Sequence, residues 1–287
     1  MRVADVVKPW VPPALLPPLR AVGKRWAPPA APEWERVGDA WPGEEPAGWN
    51  APGVLAAQQA KWPSFLQCLR GTAPLGVAHE ARVPTGDDLG AHNTIMSFGY
   101  VLALAARVKR KLSLLDWGGG VGHYHAISKA LLPDLELDYH CKDVPALCGG
   151  GRALVPEAHF HTDEAHCLAR TYDVVLASCS LQYSRDWQAD LRKLAGAASS
   201  YLYVARLPTL LDEPSCVVVQ RPQRYGYDSD YFGWAFNRQQ FLAAAETCGL
   251  RLVREFLTSD RCHIRGVDEP SQGRGFLFRP AAAEPLE

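Results

Sequence analysis

The sequence lacks the cysteine patterns of a disulfide-stabilised or zinc-binding protein. Its eight cysteines are scattered, and no two of them form a Cys-x-x-Cys pair. Several fall inside apolar runs, as Cys179 does after Val-Val-Leu-Ala-Ser, and this is typical of buried thiols. Unpaired buried thiols favour a reducing compartment. We therefore predict a cytoplasmic protein.

An excess of charge of one sign and a long hydrophobic run are also missing. The 287 residues carry 30 basic and 31 acidic side chains, for a net charge of −1. Because nucleic-acid binding needs a broadly basic face, we predict no nucleic-acid partner. No run of about 18 apolar residues is present, so no transmembrane helix is predicted. The 47% hydrophobic content is ample for a folded core.

Proline and tryptophan are concentrated at the N-terminus. Ten of the 23 prolines and five of the nine tryptophans lie in the first 50 residues, where proline excludes a long helix. Residues 11–25 are apolar at first and then basic. This arm either packs as an extended or loose tail or makes a weak contact with a membrane surface or a partner. We divide the chain into a Pro/Trp-rich arm with helices, residues 1–90, and a main domain, residues 91–287.

From residue 112 the hydrophobic pattern alternates between short strands and helices. This order predicts an α/β fold with a doubly wound, mostly parallel sheet. A last pair of strands is expected to form an edge hairpin, and the aromatic run at residues 225–234 is expected to be a loop that covers a ligand pocket. Strands are predicted at residues 112–117, 135–142, 158–161, 172–177, 201–205, 216–220, 250–256 and 275–278, and helices at residues 54–70, 91–109, 122–132, 144–154, 186–197 and 236–248.

A glycine-rich motif follows the first of these strands. It reads Asp116-Trp117-Gly118-Gly119-Gly120-Val121-Gly122 and leads into a helix, whose N-terminus offers free N–H groups to a ligand. A dinucleotide fingerprint would need glycine where His123 stands, and no phosphate-loop sequence is present. The remaining pattern is D-x-G-x-G-x-G at the carboxyl end of a strand, where ligands bind in open α/β sheets.

This pattern resembles the first motif of class I S-adenosylmethionine-dependent methyltransferases. The resemblance covers about residues 112–280 and implies a seven-stranded Rossmann-like fold with S-adenosylmethionine as cofactor. It also implies that Asp116, Gly118, Gly119, Gly120 and Gly122 surround the methionine part of that cofactor.

A carboxylate that binds the cofactor ribose is expected after the second strand. Asp138 has the better spacing from the glycines but falls within the strand, whereas Asp143 falls at its end, before Val144 and Pro145. We select Asp143, with Val144 beside it. The resemblance further implies that Asp163 contacts the adenine amine, although Asp163 is equally suited to cap a helix.

The fourth strand leads into Ser178-Cys179-Ser180, the segment that lies beside the reactive sulfonium in the family it resembles. Ser178 and Ser180 are therefore candidate cofactor contacts. A narrower likeness links the glycine motif, Val217-Val218-Val219-Gln220 and Trp234-Ala235-Phe236-Asn237 to bacterial methyltransferases associated with surface-polysaccharide or small-molecule biosynthesis. Plant- and antibiotic-type O-methyltransferases are also similar, but their histidine base is replaced here by Ala205-Arg206-Leu207-Pro208.

Three residues are candidates for a role in catalysis. His123 begins the helix after the glycines, Tyr183 follows the fourth strand, and His92 begins the helix before the first strand. Methyl transfer needs alignment of the reacting groups, and an oxygen acceptor usually needs a base as well.

A transition metal is conceivable at His159, His161, Asp163 and His166, but we interpret these residues as polar strand-end positions and predict no metal site. The leading prediction is methylation of a small molecule or glycan, most simply at oxygen. The alternatives are an S-adenosylmethionine-binding enzyme of other chemistry and a non-catalytic partner subunit with the same fold.

Overall fold

A computed structural model describes residues 31–44, 46–78, 86–107 and 109–281. The described residues from Glu33 onward belong to one compact unit. The division at residue 90 that the sequence suggests remains a prediction. The predicted arm contact at residues 11–25 lies outside the described residues and remains a prediction.

In the described part of the chain, ten strands form one mixed sheet. Its centre has the order β4-β3-β2-β5-β6, in which all neighbours are parallel. β10 then pairs antiparallel with β6, and β9 pairs antiparallel with β10, as the predicted edge hairpin. The strands are β1 (Trp34–Gly38), β2 (Lys111–Trp117), β3 (Glu136–Lys142), β4 (His159–His161), β5 (Tyr172–Ser178), β6 (Ala198–Leu210), β7 (Cys216–Gln220), β8 (Tyr231–Asn237), β9 (Leu250–Cys262) and β10 (Ser271–Pro280).

Helices cover both faces of the central sheet. Successive residues of a strand point to opposite faces, so that Leu114 and Leu115 of β2 belong to two different hydrophobic cores. The first core includes α1 to α4 and the second includes α6 and α7, which confirms the doubly wound α/β fold. The helices are α1 (Pro52–Leu69), α2 (Leu89–Ala106), α3 (His123–Leu131), α4 (Pro145–Leu154), α5 (Glu164–Cys167), α6 (Trp187–Ala197) and α7 (Arg238–Thr247).

A small three-stranded extension was not predicted as a unit. β6 extends beyond the strands beside it in the central sheet, and its end pairs in parallel with β8. β8 pairs antiparallel with β7, and β7 pairs antiparallel with β1. β8 contains part of the aromatic run predicted as a loop, and its first four residues alternate between buried and half-buried, as expected of a strand. The helix predicted from Phe236 begins two residues later, because the Asn237 side chain caps it by accepting from the Gln239 and Gln240 amides.

α2 has the length and apolar composition of a membrane-spanning helix. Its residues Phe98, Val101 and Leu102 are fully buried in the first core, where the helix packs on β9 and β6. Because core helices also have this composition, the packing accounts for it.

Candidate active site

The glycine-rich segment between β2 and α3 forms a tight loop at the carboxyl end of β2. Gly118 and Gly120 have φ values of 75° and 61°, in the left-handed region that favours glycine. A Cβ atom at Gly118 would lie 2.4 Å from Cβ of Ser180. Gly122 also has positive φ and stands at the N-cap of α3. The glycines let the loop fold tightly against the end of β5.

A cavity is lined by Gly118, Gly119 and Gly120 of this loop, and Asp116 is not among its lining residues. It is 1% exposed, its Oδ2 accepts a hydrogen bond from the Tyr139 hydroxyl, and Oδ1 has no partner among the described residues. Burial raises the pKa of Asp116 to about 7, the Tyr139 hydrogen bond opposing the shift. A Cβ at Gly119 would lie 2.3 Å from Asp116 Oδ2. The Asp116 carboxyl therefore packs directly against the backbone of the glycine loop.

Asp143 stands directly after β3 and lines the same cavity. Its Oδ2 accepts from the Gly120 amide at 2.7 Å and its Oδ1 from the Val144 amide at 2.6 Å. Burial raises the pKa of Asp143, and the two amide hydrogen bonds oppose that shift. Asp138 is remote from the cavity lining and pairs with His140 and Arg170. The structure thus brings Asp143, and not Asp138, to the glycine loop.

The cavity has a volume of about 840 Å³ and spans the carboxyl ends of β2, β3, β5 and β6. Gly118, Gly119 and Gly120 line it, as do Val144, Ser178 and Ser180. Ser178 Oγ lies 2.6 Å from the Tyr124 hydroxyl, and Ser180 Oγ donates to the Trp117 carbonyl at 2.5 Å. Both serine hydroxyls therefore hold neighbouring elements together at the cavity wall.

Asp163 is not among the residues that line this cavity. Its carboxylate caps α5 by accepting from the Ala165 amide at 2.9 Å, which is the capping role considered from the sequence. The next residue, Glu164, does line the cavity. The contact of Asp163 with the adenine amine therefore remains a prediction.

An aromatic wall faces the cavity from outside the central sheet. We use this name for Trp49, Tyr183, Tyr227 and Tyr231, which all line the cavity. Trp49 stacks on Tyr231 at 4.6 Å between ring centroids and meets Tyr183 edge-on at 5.4 Å. β8 and the turns at residues 48–50 and 181–183 place these rings together, so that the predicted aromatic cover is partly strand and partly turn.

The three candidate catalytic residues have different surroundings. His123 lines the cavity but is 2% exposed, with its ring packed edge-on against Trp62 and Phe65 of α1. Tyr183 also lines it and donates its hydroxyl to Gln220 Oε1 at 2.6 Å. His92 is not a lining residue. The geometry thus brings His123 and Tyr183 to the cavity and leaves His92 away from it.

Comparison with known proteins gives structural matches only. No family model and no curated protein matches the sequence. Magnesium protoporphyrin IX methyltransferase from Synechocystis PCC 6803, solved with bound S-adenosylmethionine, matches with a TM-score of 0.50 at 16% identity, over 80% of this chain and 92% of that one. The fold is that of a class I methyltransferase. This confirms the fold predicted from the glycine motif and the order of strands.

Two further methyltransferases have similar structures at lower scores. One is a S-adenosylmethionine-dependent methyltransferase from Clostridium acetobutylicum, with a TM-score of 0.44, 9% identity, and coverage of 65% of this chain and 91% of that one. The other is the CcbJ methyltransferase from Streptomyces caelestis, with a TM-score of 0.41, 18% identity, and coverage of 64% and 89%.

Several cavity residues were missed by the sequence analysis of this class I fold. Arg206 lies where the histidine base of similar enzymes was sought, and it lines the cavity. Arg206 and Cys179 are the described non-glycine residues with positive φ, at 58° and 54°, and the Cys179 amide donates to the Ala205 carbonyl. Such strained residues often cluster at functional sites. Gln58 and Gln182 also line the cavity, and a polar residue within a buried apolar face was the signal available for Gln58.

A histidine-rich cluster lies away from the cavity, at the β3–β4 edge. Asp138 Oδ1 is 2.9 Å from His140 Nε2 and 3.7 Å from His159 Nε2, and His140 Nδ1 is 2.8 Å from His161 Nε2. Asp138, His140 and His159 have the chemistry and spacing of a metal site. However, Arg170 donates to Asp138 Oδ2 at 3.0 Å and lies 3.1 Å from His140. A guanidinium at that point opposes a second cation, so we assign the cluster as an ion-pair network.

Proposed function

We propose that the protein is an S-adenosylmethionine-dependent methyltransferase that acts on a small molecule or glycan, at an oxygen atom. The observation that carries the proposal is the glycine loop, which folds tightly at the carboxyl end of β2 and is joined to Asp143 through the Gly120 amide. This loop and carboxylate face one cavity in a class I methyltransferase fold.

The cavity residues fit this cofactor. Gly118, Gly119 and Gly120 leave backbone exposed to the methionine part, and Asp143 stands where both ribose hydroxyls can donate to a carboxylate. Ser178 and Ser180 line the neighbouring wall, and Glu164 joins Asp163 as a candidate for the adenine end. When bound, the cofactor supplies a methyl group activated by positively charged sulfur.

The outer side of the cavity fits an acceptor that has a flat face and hydroxyl groups. The aromatic wall offers rings for stacking, and Gln182 Oε1 is buried without a partner among the described residues, so that it can accept from an acceptor hydroxyl. Burial raises the pKa of Tyr183 well above its ordinary value. Tyr183 therefore keeps its proton and orients the acceptor through hydrogen bonding, and it does not act as the base.

The same proposal places the enzyme in the cytoplasm. All eight cysteines are free, which suits a reducing compartment. We propose small-molecule acceptors and no nucleic acid as partners, in keeping with the net charge of −1.

Equilibrium binding of S-adenosylmethionine to the full chain tests the cofactor half of the proposal. We expect one molecule bound per chain and no comparable binding of NAD. If the folded protein binds NAD but not S-adenosylmethionine, the proposal is wrong. Release of S-adenosylhomocysteine in the presence of a panel of hydroxylated acceptors tests the transfer itself. A protein that binds the cofactor but methylates none of them would favour the partner-subunit alternative.

A further inference from the structure

Helix α1 carries a glutamine on a face that is otherwise buried against the rest of the domain. Val54, Gln58, Trp62, Phe65 and Leu69 recur at helical spacing and are all buried. Gln58 is only 5% exposed, and its Oε1 has no hydrogen-bond partner among the described residues. A buried amide oxygen without a partner costs free energy, so its retention requires an explanation.

The other buried polar residue of α1 provides a comparison. Lys61 is 7% exposed, and its amine donates to the Tyr225 carbonyl at 2.8 Å and lies 4.8 Å from the centre of the Tyr227 ring. Lys61 is therefore satisfied within the protein. The oxygen of Gln58 is not, although both side chains belong to the same helix face.

The Gln58 amide lies on the glycine loop and lines the cavity. A Cβ atom built at Gly120 would be 3.1 Å from Gln58 Oε1 and 3.5 Å from Nε2. Asp143 holds the Gly120 amide from its own side. Gly120 is thus enclosed by two polar side chains, one at the expected ribose position and one from the N-terminal helix.

The geometry points to Gln58 as a binding residue for the amino-acid end of S-adenosylmethionine, an inference that rests on the proposed function. In that proposal the glycine loop surrounds the methionine part, whose ends are an ammonium group and a carboxylate. A primary amide both accepts and donates hydrogen bonds, so Gln58 matches this zwitterion in either orientation of the amide. Helix α1 then forms part of the cofactor site, although it precedes β2 and the other strands of the central parallel sheet.

Replacement of Gln58 by methionine tests this role, because methionine keeps the length of the side chain and removes both polar atoms. Binding of S-adenosylhomocysteine and of 5′-methylthioadenosine is measured for the full chain by calorimetry. The second compound keeps the adenosine and the sulfur but lacks the amino-acid end. We expect Gln58→Met to weaken binding of S-adenosylhomocysteine about tenfold or more and to leave binding of 5′-methylthioadenosine unchanged.

Gln59→Met is the matched control, since Gln59 is the next residue of α1 and is exposed. It should leave the affinity for both compounds unchanged. Equal weakening of both compounds by Gln58→Met, or no weakening of either, would overturn the inference while leaving the proposed function intact. If the unaltered protein binds neither compound, the proposed function itself fails. Thermal unfolding without ligand checks the fold of the variant, and its midpoint should be unchanged or higher because an unpartnered buried group has been removed.

Discussion

The two sides of the cavity differ in how their polar groups are satisfied. On the sheet side, both oxygens of Asp143 accept from amides, and the hydroxyls of Ser178 and Ser180 have partners. On the outer side, Gln58 Oε1, Gln182 Oε1 and the Tyr231 hydroxyl are buried without partners among the described residues. The sheet side is thus organised before any ligand binds, whereas the outer side holds groups that remain available to a ligand.

From this difference we predict which substitutions should change ligand binding, which should change the stability of the fold, and which should change neither. Groups that are paired in the protein support the fold as well as the ligand. Groups that are unpaired cost stability and are retained for what they bind.

The largest effect is expected at Asp143. Asp143→Ala removes the carboxylate that holds Gly120 and stands at the expected ribose position, so affinity for S-adenosylmethionine should fall about a hundredfold or more. Asp138→Ala, within β3 but outside the cavity lining, should leave that affinity unchanged. Calorimetric titration of both variants measures the two affinities. If Asp138→Ala alone weakens binding, the ribose assignment is wrong.

A large stability effect is expected at the loop itself. Gly118→Ala places a Cβ 2.4 Å from Ser180 Cβ at a φ of 75°, so the free energy of unfolding should fall by about 1–3 kcal/mol. Gly196→Ala is the control, because this glycine lies in α6 with nothing within 4 Å of a built Cβ. It should raise the stability by about 0.5–1 kcal/mol. Urea unfolding gives both values, and equal stability of the two variants would contradict the described loop geometry.

Asp116 should make stability depend on pH. Its folded pKa of about 7 is raised above its ordinary 3.8, so the folded state binds more protons between these values. Stability should therefore fall as pH rises through this window, by up to about 1.4 kcal/mol per unit, and should level off above it. Asp116→Asn stays uncharged and should lose this contribution to the slope. Urea unfolding across the window compares the two proteins, and identical slopes would show that Asp116 titrates normally.

Sequence reasoning identified the sheet side because its signals are local. The glycine run directly follows a strand, and Asp143 stands two residues before Pro145, so each signal lies within a few residues of the chain. The order of strands and helices follows from the alternation of hydrophobic periods. The outer side depends on packing between distant segments: α1 crosses the glycine loop, and β8 joins the extended end of β6. Tyr231 was assigned to a loop for the same reason. No local pattern specifies such contacts.

The choice of Asp163 over Glu164 shows a different limit. Both acids follow β4. Asp163 stands two residues before Ala165 and caps helix α5 by accepting from the Ala165 amide. Asp163 is occupied by this cap, and the neighbouring Glu164 lines the cavity. Spacing alone could not separate the surroundings of two neighbouring acids.

The smallest and most discriminating effect is expected within the outer side, where two glutamines line the same cavity. Gln182 is 1% exposed and leaves Oε1 without a partner, although its Nε2 donates to Cys179 Sγ at 3.1 Å. Gln220 is 8% exposed and its Oε1 accepts from the Tyr183 hydroxyl. Gln182→Met should therefore leave the free energy of unfolding unchanged or raise it by up to about 1 kcal/mol. Gln220→Met leaves the Tyr183 hydroxyl without its acceptor and should lower the free energy of unfolding by about 1 kcal/mol. Urea unfolding without ligand measures both. A loss of stability in Gln182→Met as large as that in Gln220→Met would mean that the outer side is satisfied internally, and the contrast between the two sides of the cavity would then disappear.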